Sequence, residues 1–172
     1  MAKFLPACAV AALALTVTPV FASAQPGVPN LGSLTEVNVD DYAFADTRFP
    51  DKFVHFETPD GVSCRFNATT GGGDCAGDPM PGISQLPLTM GSPADGPCDG
   101  GSVDFDPAHR GSIYQHIKEQ CSPPDSAGYK LLGVGQKVSF EGGTCGVLPG
   151  NVMVCKVGSH GVVLQPSGSF AF

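Results

Sequence analysis

Hydrophobic and polar residues alternate with a period of two in the middle of this chain. From Val62 to Phe66 every second residue is hydrophobic, which is typical of a strand with one buried face. The four residues before this run form a turn signal, because Pro59 presets φ and Gly61 accepts a positive φ. The pattern predicts a hairpin of strands at 53–57 and 62–66.

The last third of the chain predicts further short strands, at 137–141, 152–157, 162–165 and 169–172. Pro- and Gly-containing turns separate them at intervals of about 8–12 residues, which indicates a sandwich or barrel. The one predicted helix is 112–120, where Ile113 and Ile117 stand four residues apart. The predicted fold class is all-β, a small disulfide-stapled sandwich or barrel with at most one short helix.

The first 24 residues are typical of an export signal. Lys3 is followed by an apolar stretch from 4 to 20, and a small-residue motif ends at Ala24. Signal peptidase cleaves after such a motif, so we place cleavage between Ala24 and Gln25. A stable membrane span is not expected, because the stretch is short for the ~20 residues required and contains two prolines.

The mature chain divides into two parts. Residues 25–52 combine a Pro/Gly-rich start with an acidic stretch, and we interpret them as a flexible N-terminal tether. Residues 53–172 form a single β-rich domain. Within this domain, residues 77–101 contain five prolines and predict a long loop.

Composition and charge narrow the range of functions. The 172 residues include 23 Gly and 16 Pro but no Trp, and the net charge is −7. The chain is too short for a TIM barrel of ~250 residues and too rich in Gly and Pro for a helix bundle. Its acidic balance also argues against a nucleic-acid partner bound through a basic patch.

Six cysteines remain once Cys8 is removed with the leader: Cys64, Cys75, Cys98, Cys121, Cys145 and Cys155. An even number in an exported chain predicts disulfides, and six cysteines allow about 15 pairings. Cys64 and Cys75 flank one glycine-rich turn, and Cys145 and Cys155 flank another turn, so each pair suits a stapled hairpin. Cys98 and Cys121 then remain, and they would pair with each other. Zinc sites usually use C-x2-C steps, which are absent here.

Two segments of the chain resemble a known group of proteins. The phrase from Phe56 to Cys64 reads F-x-[ST]-P-[DS]-G-x-x-C, and residues 144–161 supply a closing Cys–Cys and Gly-Ser-His-Gly motif. Together they resemble small exported mycobacterial and related actinobacterial proteins of unknown function. The resemblance implies an exported, disulfide-stapled β protein and supplies no catalytic residues. Val162 stands where many members have an aromatic residue.

The same segments also resemble each other. Phe56-Glu57 leads to Cys64 and Cys75, and Phe140-Glu141 leads to Cys145 and Cys155. This similarity indicates either a weak internal repeat or two ordinary disulfide hairpins. We interpret it as two ordinary hairpins.

Candidate chemistry is sparse. Asp104, Asp106, His109 and His116 form the densest set of possible metal ligands, although Asp106 before a proline also suits a solvated polar loop. His160 lies in a predicted turn and could act as a hydrolase base, but no serine has the G-x-S-x-G context. The sequence assigns no catalytic, cofactor or metal site.

We therefore expect a non-enzymatic domain, secreted or associated with the cell envelope, that binds an unknown protein or glycan partner without a cofactor. The 77–101 loop and the edge near His160 are the predicted contact regions. A secreted hydrolase using His160, or a metal-dependent enzyme using Asp104, Asp106 and His109, is the alternative. A third hypothesis is a structural envelope protein that associates through the Phe-rich strand at 169–172.

Overall fold

A computed structural model of the chain describes residues 27–45, 52–83, 100–106, 111–115 and 128–172, with the backbone alone at 45, 105–106 and 111–115. This part of the chain contains two β-sheets and two short 3-10 helices, η1 (Leu31–Ser33) and η2 (Val39–Asp41). The prediction of an all-β fold is therefore confirmed. The predicted leader, Cys98, Cys121, His109, His116 and residues 84–99 of the predicted loop lie outside the described residues.

Sheet A joins the first of the described strands to the last five, in the order β1-β9-β10-β11-β12-β13. Its strands are β1 (Thr35–Glu36), β9 (Gln136–Phe140), β10 (Gly143–Leu148), β11 (Val152–Val157), β12 (His160–Leu164) and β13 (Phe170–Ala171). Apart from β1, which runs parallel to β9, neighbouring strands are antiparallel.

Sheet B has the order β2-β3-β4-β5-β6-β7, and one further strand, β8, lies parallel to β3. Its strands are β2 (Ala43–Ala45), β3 (Lys52–Glu57), β4 (Ser63–Asn67), β5 (Gly73–Gly77), β6 (Gly101–Asp106), β7 (Gly111–Gln115) and β8 (Lys130–Leu131). The predicted hairpin is β3 and β4, which are antiparallel around a turn where Gly61 has a φ of 80°.

The inner faces of the two sheets form one hydrophobic core. Phe56 and Phe66 of sheet B are fully buried, as are Val138 and Leu164 of sheet A. The Sγ of Cys64 lies 3.6 Å from the Met153 sulfur of the opposite sheet. Since one cluster draws on both sheets, the fold is a sandwich.

Two of the predicted disulfides are present. Cys64 opposes Cys75 in the β4–β5 hairpin and is bonded to it. Cys145 opposes Cys155 in the β10–β11 hairpin and is bonded to it in the same way. Each bridge therefore staples the two strands that its cysteines flank in sequence.

The helix predicted at 112–120 is wrong over its described part. Residues 111–115 form β7, which pairs antiparallel with β6 from Ser102↔Gln115 to Asp106↔Gly111. Ile113 and Tyr114 favour strands, and β6 offers a partner for their backbone groups. Two hydrophobic residues four positions apart are too few to establish a helical period.

The two halves of the chain share one architecture, which corrects the interpretation as two ordinary hairpins. Across sheet B, Phe56 pairs with Cys64, Cys64 with Cys75, and Cys75 with Val103. Across sheet A, the equivalent series is Val138, Cys145, Cys155 and Val162. Each half is thus a meander whose second and third strands are joined by a disulfide, and the structure supports an internal repeat.

Each half also receives a short parallel strand that belongs to the other half in sequence. The strand β1 pairs with β9, and β8 pairs with β3. The segment predicted as a tether therefore contributes β1 to sheet A and β2 to sheet B. Just before β1, Leu31 and Leu34 lie so close to Gly146 that a Cβ there would be 2.6 Å from Leu34 Cδ1.

Candidate functional site

A row of charged and polar side chains crosses the outer face of sheet B. His55, Arg65, Asp74 and Asp104 are direct partners on four adjacent strands. Their sequence neighbours Phe56, Cys64, Cys75 and Val103 belong to the buried hydrophobic residues. Because side chains alternate between the faces of a sheet, the four polar residues point outward and span about 14 Å. We call them the charged row.

The two carboxylates of the charged row have different environments. Asp74 accepts a hydrogen bond from Arg65 Nη2 at 3.1 Å in an ion pair that is largely exposed. Asp104 is partly buried, and among the described residues it has no ion-pair partner. Burial first, and the charge of Asp74 second, raise the pKa of Asp104. The row thus places one paired and one unpaired carboxylate side by side.

An aromatic cluster lies at the other end of the charged row. The His55 ring stacks on Phe44 at 5.1 Å and contacts Tyr129 at 4.7 Å, and Phe53 lies 6.2 Å away. Burial first, and the charge of Arg65 second, lower the pKa of His55. Its Nε2 atom is buried and has no hydrogen-bond partner among the described residues. Phe44 is 50% exposed, so this end of the row offers a neutral, partly open aromatic surface.

The repeat provides an internal comparison for the charged row. At the equivalent positions on the outer face of sheet A stand Lys137, Gly146, Val154 and Val163. Val154 and Val163 are almost completely buried, and Leu34 lies over Gly146. The sandwich therefore accepts apolar residues where the first half carries Asp74 and Asp104.

Those candidate residues from the sequence that the structure describes are not brought together. Asp104 lies in the charged row, and Asp106 ends the same strand, β6, whereas His160 begins β12 of sheet A opposite Val157. Among the described residues, no group of three or more His, Cys, Asp or Glu could hold a metal ion. The structure therefore adds no observation in favour of the hydrolase or metal-enzyme alternative.

Sequence reasoning missed His55, Arg65 and Asp74 as site residues. Alternation did place Arg65 on the polar face of its strand, between Cys64 and Phe66. His55 alternates in the same way with Val54 and Phe56. Their alignment depends on the register between strands, which a single strand's pattern does not contain.

A separate cleft opens near the N-terminal end of β3. It has a volume of about 310 Å³. Its apolar lining includes Val39, Ala43, Val54, Ala68 and Phe140, and its charged lining consists of Asp40, Lys52 and Glu141. Residues from β3, η2 and the β9–β10 turn thus meet at one opening.

Comparison of the chain with protein-family models, with curated proteins and with solved structures finds no match. Within the part of the chain that the structure describes, no helix has the length and apolar character needed to cross a membrane.

Proposed function

We propose that this chain is an exported, non-enzymatic binding domain of the extracellular space or the cell envelope, and that it binds a protein or glycan partner through the charged row. The leader-like N-terminus and the resemblance to small exported actinobacterial proteins support export. The disulfides support it as well, because such bridges persist in oxidising compartments.

The main support for the proposed binding surface is that Asp74 and Asp104 are direct cross-strand partners. Like charges placed opposite each other destabilise a sheet, and the equivalent pair in sheet A is Val154 and Val163. The pairing of these strands therefore does not require the two carboxylates. Residues that break a local stability rule without structural need are characteristic of functional sites.

The partner's chemistry follows from the two ends of the row. The carboxylates of Asp74 and Asp104 accept hydrogen bonds from hydroxyl or cationic donors. Phe44, with half of its surface exposed, offers a ring face for an apolar or cationic group. A partner that carries both kinds of group across about 14 Å would contact the whole row.

The test compares wild-type protein with Asp74→Asn/Asp104→Asn in binding to isolated cell-envelope material and to an array of purified glycans. We expect the double variant to lose at least about tenfold in affinity, since two charge-assisted contacts are removed. Binding affinity is measured with the ligand material immobilised on a sensor surface and the chain from Gln25 in solution. Circular dichroism checks that each variant is folded.

The matched control is Glu36→Gln/Asp60→Asn, which removes the same number of negative charges away from the row. Asp60 accepts a hydrogen bond from the Thr58 hydroxyl, which the amide oxygen of asparagine can still accept. Glu36 accepts from the Ser139 N–H and hydroxyl through separate oxygens, so the amide oxygen of glutamine can keep the first bond while its NH2 group can donate to the hydroxyl. Equal losses of binding in the two double variants would reduce the effect to net charge and contradict the proposed surface.

A further inference from the structure

We propose that the cleft beside β3 is a second binding site, independent of the charged row, and that it binds a small free amine with an apolar body. The apolar body would lie against Val54, Ala68 and Phe140, and the ammonium group would face Asp40 and Glu141. The proposal depends on the shape, rigidity and charge of the cleft.

The walls of the cleft are held in place without a ligand. The Ala68 N–H donates to the Lys52 carbonyl at 2.8 Å, and the Gly142 N–H donates to the Ala68 carbonyl at 3.0 Å. These two bonds tie β3, the turn after β4 and the β9–β10 turn together. The Phe140 ring is fixed in turn by stacking on Phe66 at 5.6 Å. A rigid cleft loses little entropy when it binds.

Close backbone contact behind the opening keeps this geometry. A Cβ on Gly142 would lie 2.1 Å from the backbone nitrogen of Gly71. Only glycine at position 142 allows the two turns to approach this closely. At the opening itself, the small side chains of Ala43 and Ala68 leave the space unfilled.

The charges around the cleft favour a cation. Asp40 and Glu141 supply two carboxylates, and Lys52 supplies one ammonium group. Among the described residues, none of these three side chains takes part in an ion pair. The local excess of one negative charge lies next to apolar walls, where a bound cation is partly shielded from water.

The volume favours a free amine over the lysine side chain of a partner protein. The cleft volume of about 310 Å³ equals that of about ten water molecules at ~30 Å³ each, which suits a ligand of about ten non-hydrogen atoms. A lysine side chain supplies about five such atoms beyond its Cα. An amine such as n-octylammonium, with nine, fills the cleft more completely.

The experiment measures binding of n-octylammonium to the mature protein by calorimetry and by amide chemical shifts. Octanoate serves as the probe of opposite charge, and N-acetyl-lysine methylamide represents a lysine of a partner. We expect octylammonium to bind tightest and to shift amides around Ala68 and Glu141. Equal or tighter binding of octanoate, or of the lysine probe, would overturn the proposal.

Charge variants test whether the cleft prefers a positively charged ligand. Asp40→Asn and Glu141→Gln should each weaken octylammonium binding by about three- to fivefold, and Lys52→Gln should tighten it by about threefold. The control is Lys156→Gln, since Lys156 is exposed on sheet A and does not line the cleft. Equal effects of Lys52→Gln and Lys156→Gln, or no binding by folded wild type, would refute the site.

Discussion

At the scale of single residues, the charged form of Asp104 destabilises the folded protein, and no described neighbour offsets this effect with an ion pair. It is partly buried, it opposes Asp74, and both effects raise its pKa. A carboxyl group with a raised folded-state pKa favours folding only while it is protonated. Its contribution to stability is therefore full below the unfolded pKa of about 3.9 and is lost as the pH rises through the folded pKa.

The variant Asp104→Asn should be more stable than wild type at pH 7, by a few tenths of a kcal/mol up to about 1 kcal/mol. The amide removes both the repulsion and the cost of burying a charge. The gain should shrink towards zero as the pH falls below about 3.9, where Asp104 is protonated in both states. Urea unfolding at several pH values measures this difference.

Asp40→Asn is the control for this prediction, because Asp40 is exposed in η2 and does not belong to the charged row. It should leave stability unchanged within ±0.5 kcal/mol, as is usual for surface substitutions. A destabilised Asp104→Asn at pH 7 would mean that the carboxylate stabilises the sheet. Strand pairing in sheet B would then depend on the Asp104 carboxylate, unlike the equivalent pairing through Val163 in sheet A.

The residues of the charged row also mark the limit of what the sequence predicts. Alternation identifies the polar face of a strand such as β4, and so assigns Arg65 correctly. It does not predict that Arg65 aligns with His55 and Asp74, because register depends on turn length and pairing across strands. The charged row therefore could not be predicted from the sequence, and it is identified by the register between the strands of sheet B.

At the scale of elements, the hydrophobic pattern located single strands, and the cysteine spacing predicted which strands pair as stapled hairpins. The spacing predicted both stapled hairpins, because a turn between two cysteines brings their strands together. The strands β1, β2 and β8 have two or three residues each and contain no readable period. These three strands are stabilised by backbone pairing with the longer strands β9 and β3. This pairing leaves no pattern in the sequence from which the short strands could be predicted.

The third disulfide remains a prediction at this scale. In the β6–β7 hairpin, Ser102 opposes Gln115 at the open end. In sequence, Cys98 precedes Ser102 by four residues and Cys121 follows Gln115 by six. With the other four cysteines paired inside hairpins, we expect a Cys98–Cys121 bond.

Mass spectrometry of the protein isolated from the culture medium and the cell envelope of its native host tests this bond together with export. We expect a mature chain that begins at Gln25, with three disulfides and no free thiol. Digestion without reductant should yield one linked peptide pair containing Cys98 and Cys121. A free thiol at either position would contradict the pairing, and a chain that retains residues 1–24 would contradict cleavage of the leader.

At the scale of the whole molecule, the reciprocal exchange of short strands joins the two halves into one unit. The segment before β3 supplies more than β1 and β2. Tyr42 is 5% exposed, and its hydroxyl donates to the Leu131 carbonyl at 3.1 Å. The Nζ of Lys130 lies 2.9 Å from Asp41 and 5.0 Å from the centre of the Tyr42 ring. The two exchanged segments thus contact each other as well as both sheets.

A chain shortened to begin at residue 46 should therefore be much less stable than one that begins at residue 31. The shorter chain loses Leu34 and Tyr42 from buried positions, and deletion of one large buried side chain costs about 2–5 kcal/mol. Because a domain of this size has only about 5–15 kcal/mol of stability, the chain from residue 46 should be largely unfolded at 37 °C. Thermal and urea unfolding compare the two chains.

The single variants Tyr42→Phe and Tyr42→Ala separate the contributions within this segment. Tyr42→Phe loses one hydrogen bond and should cost about 0.5–1.5 kcal/mol, whereas Tyr42→Ala also loses the buried ring and should cost about 3–5 kcal/mol. If the chain that begins at residue 46 unfolded at the same urea concentration as the longer one, residues 31–45 would be a dispensable tether. In that case each half would complete its core without the strand exchange, and the sandwich would not depend on the contact between the exchanged segments.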